Sequence, residues 1–120
     1  MSRSLVVKLT SGAEAPERCA QAFTVASVAI ASGADVSLWL TGEASWLALP
    51  GRAEEFELPH SAPLQVMRDA VLAEGTLTLC TQCAARREIT ADAVLPGVRI
   101  AGAQTFVEEA LAEGAQALVY

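Results

Sequence analysis

The first forty residues hold two apolar runs separated by one helix-length stretch, and that order admits few folds. Leu5-Val6-Val7 makes residues 4–9 a buried strand, and Thr10-Ser11-Gly12-Ala13 reads as the loop that leaves it. Pro16 suits the first turn of a helix, where its missing N–H costs nothing, and Glu17 suits the positive end of the helix dipole. Gly33 stops this helix near residue 32. Cys19, Ala22, Phe23, Ala26 and Ile30 recur at helical spacing and form one core-facing stripe; Val25 and Val28 lie off it and mark a second apolar face. Val36, Leu38, Trp39 and Leu40 make residues 35–40 a second strand, closed by Thr41-Gly42. Parallel neighbours need a long crossover, so strand, helix, strand is the βαβ unit of a parallel sheet.

The pattern repeats along the chain. Residues 43–49 read as a short helical segment before Pro50-Gly51, and residues 52–63, with Glu54, Glu55, Glu57, two prolines and the single histidine, as an acidic irregular loop. Pro63 opens a helix over 64–74 with Leu64, Met67 and Val71 on one face, and Gly75 ends it. A third strand over 76–79 delivers Cys80, followed by a helical turn over 83–88, a short helix after Thr90, and a fourth strand over 98–101. Thr105 and Glu108 form an S/T-x-x-E capping pattern for a last helix that Gly114 ends, before a fifth strand over 117–120. The fold expected is therefore α/β: a three-layer, flavodoxin-like open parallel sheet of five strands in the order 2-1-3-4-5, with helices on both faces. Ligands in such sheets sit beyond the carboxyl ends of the strands, here between Ser11-Gly12 and Cys80.

With 120 residues the chain, 1–120, is expected to be a single domain. Apolar residues make up 52% and charged residues 18%, a surplus that a small monomer hides with difficulty, so association of identical copies is expected. A net charge of −6 with eight Lys and Arg argues against nucleic acid or an anionic membrane as partner. There is no run of 18 apolar residues and the first apolar stretch breaks at Lys8, which leads to a cytoplasmic reading with no membrane association. Three cysteines, an odd number, do not form a disulfide framework and read as free, metal-bound or catalytic thiols.

Chemistry concentrates in Thr76-Leu77-Thr78-Leu79-Cys80-Thr81-Gln82-Cys83-Ala84-Ala85-Arg86-Arg87. A strand runs into a C-x-x-C pair, and two guanidinium groups follow that favour a thiolate. Cys80 is read as the reactive thiol, and Cys83 either as a resolving thiol or as a packing residue; Arg86 and Arg87 are the anion-stabilising candidates. Thiol-disulfide exchange by Cys80 and Cys83 is an alternative, although no Trp precedes Cys80. Zinc needs four ligands and the chain offers no second paired motif, so no metal is expected. No cofactor is expected either, since neither G-x-G-x-x-G nor a Walker sequence is present. Ser11, Gly12 and His60 remain as possible lining of the site, while Cys19, Trp39 and Trp46 read as packing residues.

Three stretches resemble the DsrE/DsrF-like family of small sulfur-transfer proteins, which includes the TusD type of relay subunit: Leu9-Thr10-Ser11-Gly12, Ala31-Ser32-Gly33-Ala34-Asp35-Val36, and Cys80 to Arg87. In this resemblance Cys80 matches the sulfur-accepting cysteine, Cys83 the second cysteine of some members, and Arg87 the arginine of the active segment; Glu88 stands where the family usually has Gly. The resemblance implies a flavodoxin-like fold, a homotrimer or homohexamer, and a persulfide on Cys80 used as a sulfur carrier or sulfurtransferase, for relay or sulfane-sulfur reduction. The implied partners are other copies of the chain and a sulfur-donor or sulfur-acceptor protein or small thiol. The competing expectation is an oligomeric module that binds a small ligand or a partner segment without sulfur chemistry.

Overall fold

The structure, a computed structural model, describes residues 3–120; Met1 and Ser2, where the single-domain expectation begins, lie outside the described residues. Five strands, β1 (Ser4–Leu9), β2 (Asp35–Leu40), β3 (Thr76–Cys80), β4 (Arg99–Ala101) and β5 (Ala115–Val119), form one all-parallel sheet in the order 4-3-2-1-5. Between them run α1 (Pro16–Ala31), a 3₁₀ helix (Gly42–Ala48), the single turn α2 (Arg52–Glu55), α3 (Leu64–Glu74), α4 (Thr81–Arg86) and α5 (Ala103–Ala110).

The α/β class, the parallel sheet and helices on both faces agree with the sequence, but the order 2-1-3-4-5 does not. That flavodoxin-like order requires a reversal after β2, which would send α1 and α3 to opposite faces, because βαβ crossovers share one hand. Instead Phe23 and Ala26 of α1 share a core with Met67 and Val71 of α3, so β3 is laid outside β2 on the same side. The reversal comes after β4, when the chain crosses back to the far side of β1.

The two faces of the sheet differ in composition. Val7, Leu9, Val36, Leu38, Leu40, Leu77 and Leu79 alternate onto the α1/α3 face and are all buried. At roughly 1.5–3 kcal/mol for each such side chain, this layer dominates the stabilisation of the fold. The opposite face is mixed, with Val6 and Trp39 beside polar residues, and one carboxylate organises its polar part. Glu109 of α5 accepts hydrogen bonds from Ser37 Oγ at 2.6 Å, Trp39 Nε1 at 2.9 Å and Arg99 Nη2 at 2.7 Å. Arg99 Nε also donates to Thr78 Oγ1 at 2.9 Å, and Phe106 meets Trp39 edge to face at 5.5 Å. Burial raises the Glu109 pKa, but these donors outweigh it and hold the carboxyl below its ordinary range. Seated in this way, α5 brings Gly102 at its start against Thr81 and Gln82, the residues that follow Cys80.

Several boundaries move. Residues 52–55 of the expected irregular loop form α2, held by a bidentate pair between Glu54 and the buried Arg68 with both contacts at 2.8 Å. The expected helix after Thr90 is a series of turns, and the helical turn expected over 83–88 starts earlier, at Thr81. Thr105 does not cap the last helix, because Gly102 holds that position and Thr105 lies within α5. No described helix is long and apolar enough to cross a membrane.

Candidate functional site

The carboxyl end of β3 ends in Cys80, which is also the residue preceding the first turn of α4. Cys80 is partly exposed, and its sulfur lies 3.5 Å from Gln82 Oε1. Three residues on, Cys83 is turned inward and only 8% exposed. Its sulfur accepts the Gly42 backbone N–H at 3.3 Å and faces Arg86 Nη1 at 3.9 Å. Burial raises the pKa of the Cys83 thiol, but the Gly42 N–H, a hydrogen bond from Cys80 and the charges of Arg87 and Arg86 outweigh it and lower the pKa below the ordinary thiol value.

Gly42 supplies this contact because of where the chain must pass. Its φ is +53°, and a Cβ there would lie 2.5 Å from the Thr10 carbonyl oxygen, closer than any side chain tolerates. Thr41 secures the same turn, donating from both N and Oγ1 to Leu9 O at 2.9 Å. Glu43 then receives Arg87 through Nη2 at 2.8 Å and Nε at 3.1 Å, while Arg87 Nη1 donates to the Cys83 carbonyl at 3.2 Å. The two arginines therefore differ: Arg86 faces the sulfur, and Arg87 ties α4 to the loop that carries Gly42.

The end of α4 explains the residue at position 88. Glu88 N–H bonds to Ala85 O and Ile89 N–H to Ala84 O, the paired bonds that close a helix through a left-handed residue, and Glu88 has φ +55°. Glycine adopts that conformation without a Cβ penalty, so Glu88 fills a glycine-favouring position at a cost of roughly 1 kcal/mol.

The other candidates stand farther from the sulfur atoms. With β2 between β1 and β3, the loop beside Cys83 is Thr41-Gly42-Glu43, and the expected neighbour Ser11-Gly12 sits one strand away. Gly12 packs on that intervening loop, where a Cβ would come within 2.7 Å of Glu43 O, and its N–H donates to Glu14 Oε1 at 2.7 Å. Ser11 is buried and accepts from Arg18 Nη1 at 3.3 Å. His60 is exposed, with φ +62°, and lines a groove of about 800 Å³ against α1, together with Val25 and Val28 of its second apolar face and Met67 of α3. None of Cys80, Cys83, Arg86 and Arg87 lines that groove, so the structure does not bring His60 to the thiols. Gly42 and Glu43 are the residues that sequence reasoning passed over; the signal was a glycine directly after a strand, read only as its stop. Among the described residues no group of three or more His, Cys, Asp or Glu side chains is arranged to hold a metal.

Comparison with known proteins agrees with this architecture. No curated protein matches the chain. Among solved structures, the YchN protein of E. coli superposes with a TM-score of 0.76 at 21% identity, covering 100% of both chains. BT1422 of Bacteroides thetaiotaomicron, a conserved protein of unknown function, superposes with a TM-score of 0.60 at 15% identity, covering 98% of this chain and 94% of its own. At these identities the likeness is one of fold. The model of the DsrE/DsrF-like family matches residues 3–120, nearly the whole length, and the chain belongs to that family.

Proposed function

We propose that this protein handles sulfane sulfur, accepting it on Cys80 as a persulfide and acting as a sulfur carrier or sulfurtransferase. The observation that carries the reading is the pairing of a partly exposed sulfur at the end of β3 with a second sulfur held by a backbone N–H and a guanidinium. A partly exposed thiol can meet a donor, and an adjacent thiol whose ionisation is eased gives the site a second nucleophile. Family membership supports the same reading, since it implies sulfur-relay-type proteins. The donor or acceptor is a protein or small thiol able to present sulfur at the cleft. Self-association into a trimer or hexamer accompanies it, supported by the large apolar residues left in solvent: Val107 and Leu111 on and just after α5, and Leu118 and Val119 on β5. Mass measurement in solution checks that part, and a clean monomer removes it.

The chemical reading is tested in Cys83→Ser, where a sulfur on Cys80 has no neighbouring thiol. Treated with inorganic polysulfide, this variant is expected to gain one sulfur atom by intact mass, and the further change Cys80→Ser is expected to abolish the gain. No gain in Cys83→Ser rejects the persulfide and favours the binding-module reading, for which the 800 Å³ groove beside α1 is the natural ligand site.

A further inference from the structure

The environments of the two thiols are unequal in a direction opposite to a simple relay. In a relay the accepting sulfur is the activated one, and its neighbour is a bystander. Here the hydrogen-bond donors converge on Cys83. The Gly42 N–H meets that sulfur at 3.3 Å, Arg86 Nη1 faces it at 3.9 Å, and Arg87 locks the Gly42 loop to α4 through Glu43 and the Cys83 carbonyl. Cys80 has Gln82 Oε1, an acceptor, beside it, and among the described residues no positively charged donor is hydrogen-bonded to its sulfur. Solvent access runs the other way, since Cys80 is partly open and Cys83 is buried.

We infer that Cys83 is the attacking thiol of the pair, that Gly42 N–H and Arg86 hold its sulfur, and that it discharges a Cys80 persulfide as hydrosulfide. This rests on the Cys80 persulfide proposed above and adds its fate. In the loading step Cys80 thiolate takes the outer sulfur of a persulfide or polysulfide donor, which leaves as its own thiolate or a shortened polysulfide. Cys83 thiolate then attacks Cys80 Sγ; the Cys80–Cys83 Sγ–Sγ bond forms, the bond from Cys80 Sγ to the outer sulfur breaks, and HS⁻ departs with the persulfide proton. The sulfane sulfur gains two electrons and the two cysteines lose them. A dithiol reductant restores the pair, its own two thiols becoming a disulfide. Placing the donors on the buried thiol fits this order: the sulfur that must attack is shielded and held, and the sulfur that must meet a donor is the accessible one.

Intact mass and sulfide release separate the outcomes. After treatment with inorganic polysulfide, the wild type is expected to lose two hydrogens, keep no added sulfur and release about one equivalent of hydrosulfide per disulfide formed beyond what Cys83→Ser releases on loading. Under the same treatment Cys83→Ser is expected to retain one added sulfur and Cys80→Ser to take up none. Arg86→Gln, an exposed position that leaves the fold intact, is expected to retain the added sulfur for longer than the wild type at neutral pH, with the difference shrinking as pH rises. A wild type that keeps its added sulfur as long as Cys83→Ser overturns the inference while leaving the persulfide in place. A stable added sulfur in Cys80→Ser also overturns it, by reversing the roles. Absence of any adduct in Cys83→Ser is the separate result that rejects the persulfide itself.

Discussion

Cys19 and Cys83 are both buried thiols in the same sheet-and-helix body, yet their protons are held in opposite ways. Cys19 lies on the core stripe of α1 with 0% exposure, and desolvation, with Glu14 adding to it, pushes its pKa up to about 12. At Cys83 burial acts in the same direction but is outweighed by the Gly42 N–H, the Cys80 thiol and two guanidinium groups. Burial therefore does not decide whether a cysteine is inert. What decides is whether the surrounding backbone and cations repay the charge for leaving water.

The largest expected effect is in alkaline stability. Cys19 has a raised folded pKa, so its contribution is fully present below the unfolded value of about 8.5 and is lost as pH climbs toward 12. Across that window the loss reaches about 1.4 kcal/mol per pH unit, and urea unfolding at pH 8, 9 and 10 should show it in the wild type and lose it in Cys19→Ala. Cys83 contributes with the opposite sign: its lowered folded pKa adds stability above the unfolded value, and this is lost as pH falls through the folded one. A thiolate absorbance titration of Cys80→Ser should show one group ionising well before the other, which ionises only near pH 12. Two groups ionising together would erase the contrast.

Gly42→Ala sharpens the comparison from the donor side. A Cβ 2.5 Å from Thr10 O at a positive φ is expected to cost roughly 1–3 kcal/mol and, by displacing the N–H, to raise the Cys83 pKa; denaturant melts paired with the same titration measure both. Serine substitutions separate packing from hydrogen bonding. Cys19→Ser places a hydroxyl in an apolar core and should lose about 1–3 kcal/mol, whereas Cys83→Ser keeps an acceptor for the Gly42 N–H and should lose less than about 1 kcal/mol. Equal losses would mean that the Gly42 contact does not matter to the fold. The smallest change is a gain. Glu88→Gly relieves a side chain at φ +55° just after α4 and should raise stability by about 1 kcal/mol without moving the Cys83 titration.

Much of the candidate site is legible in the sequence. The C-x-x-C pair, its position at the end of a strand and the two following arginines are read from the residues themselves, while the departure at residue 88 comes from the family resemblance, and the left-handed φ there accounts for the glycine usual in the family. Two things were hidden. Thr41-Gly42 reads locally as a strand stop, and its role as a donor to sulfur depends on β2 lying next to β3. The expected lining by Ser11, Gly12 and His60 assumes β1 beside β3 and a loop that reaches the thiols, whereas β2 lies between those strands and His60 lines the groove against α1.

The chain's own pattern determined the five strands, the long helices α1 and α3 with their core-facing stripes, and the C-x-x-C spacing at the end of a strand, because periodicity, turn residues and spacing are local properties. Only the tertiary structure decided which strands are neighbours and which thiol receives the hydrogen bonds. Ladder bonds join backbone to backbone and carry little record of side-chain identity, so sheet order emerges from how α1 and α3 share one core. The part of the sulfur pair's polarity that is not local follows from that order, through the Gly42 N–H contributed by the adjacent strand's loop.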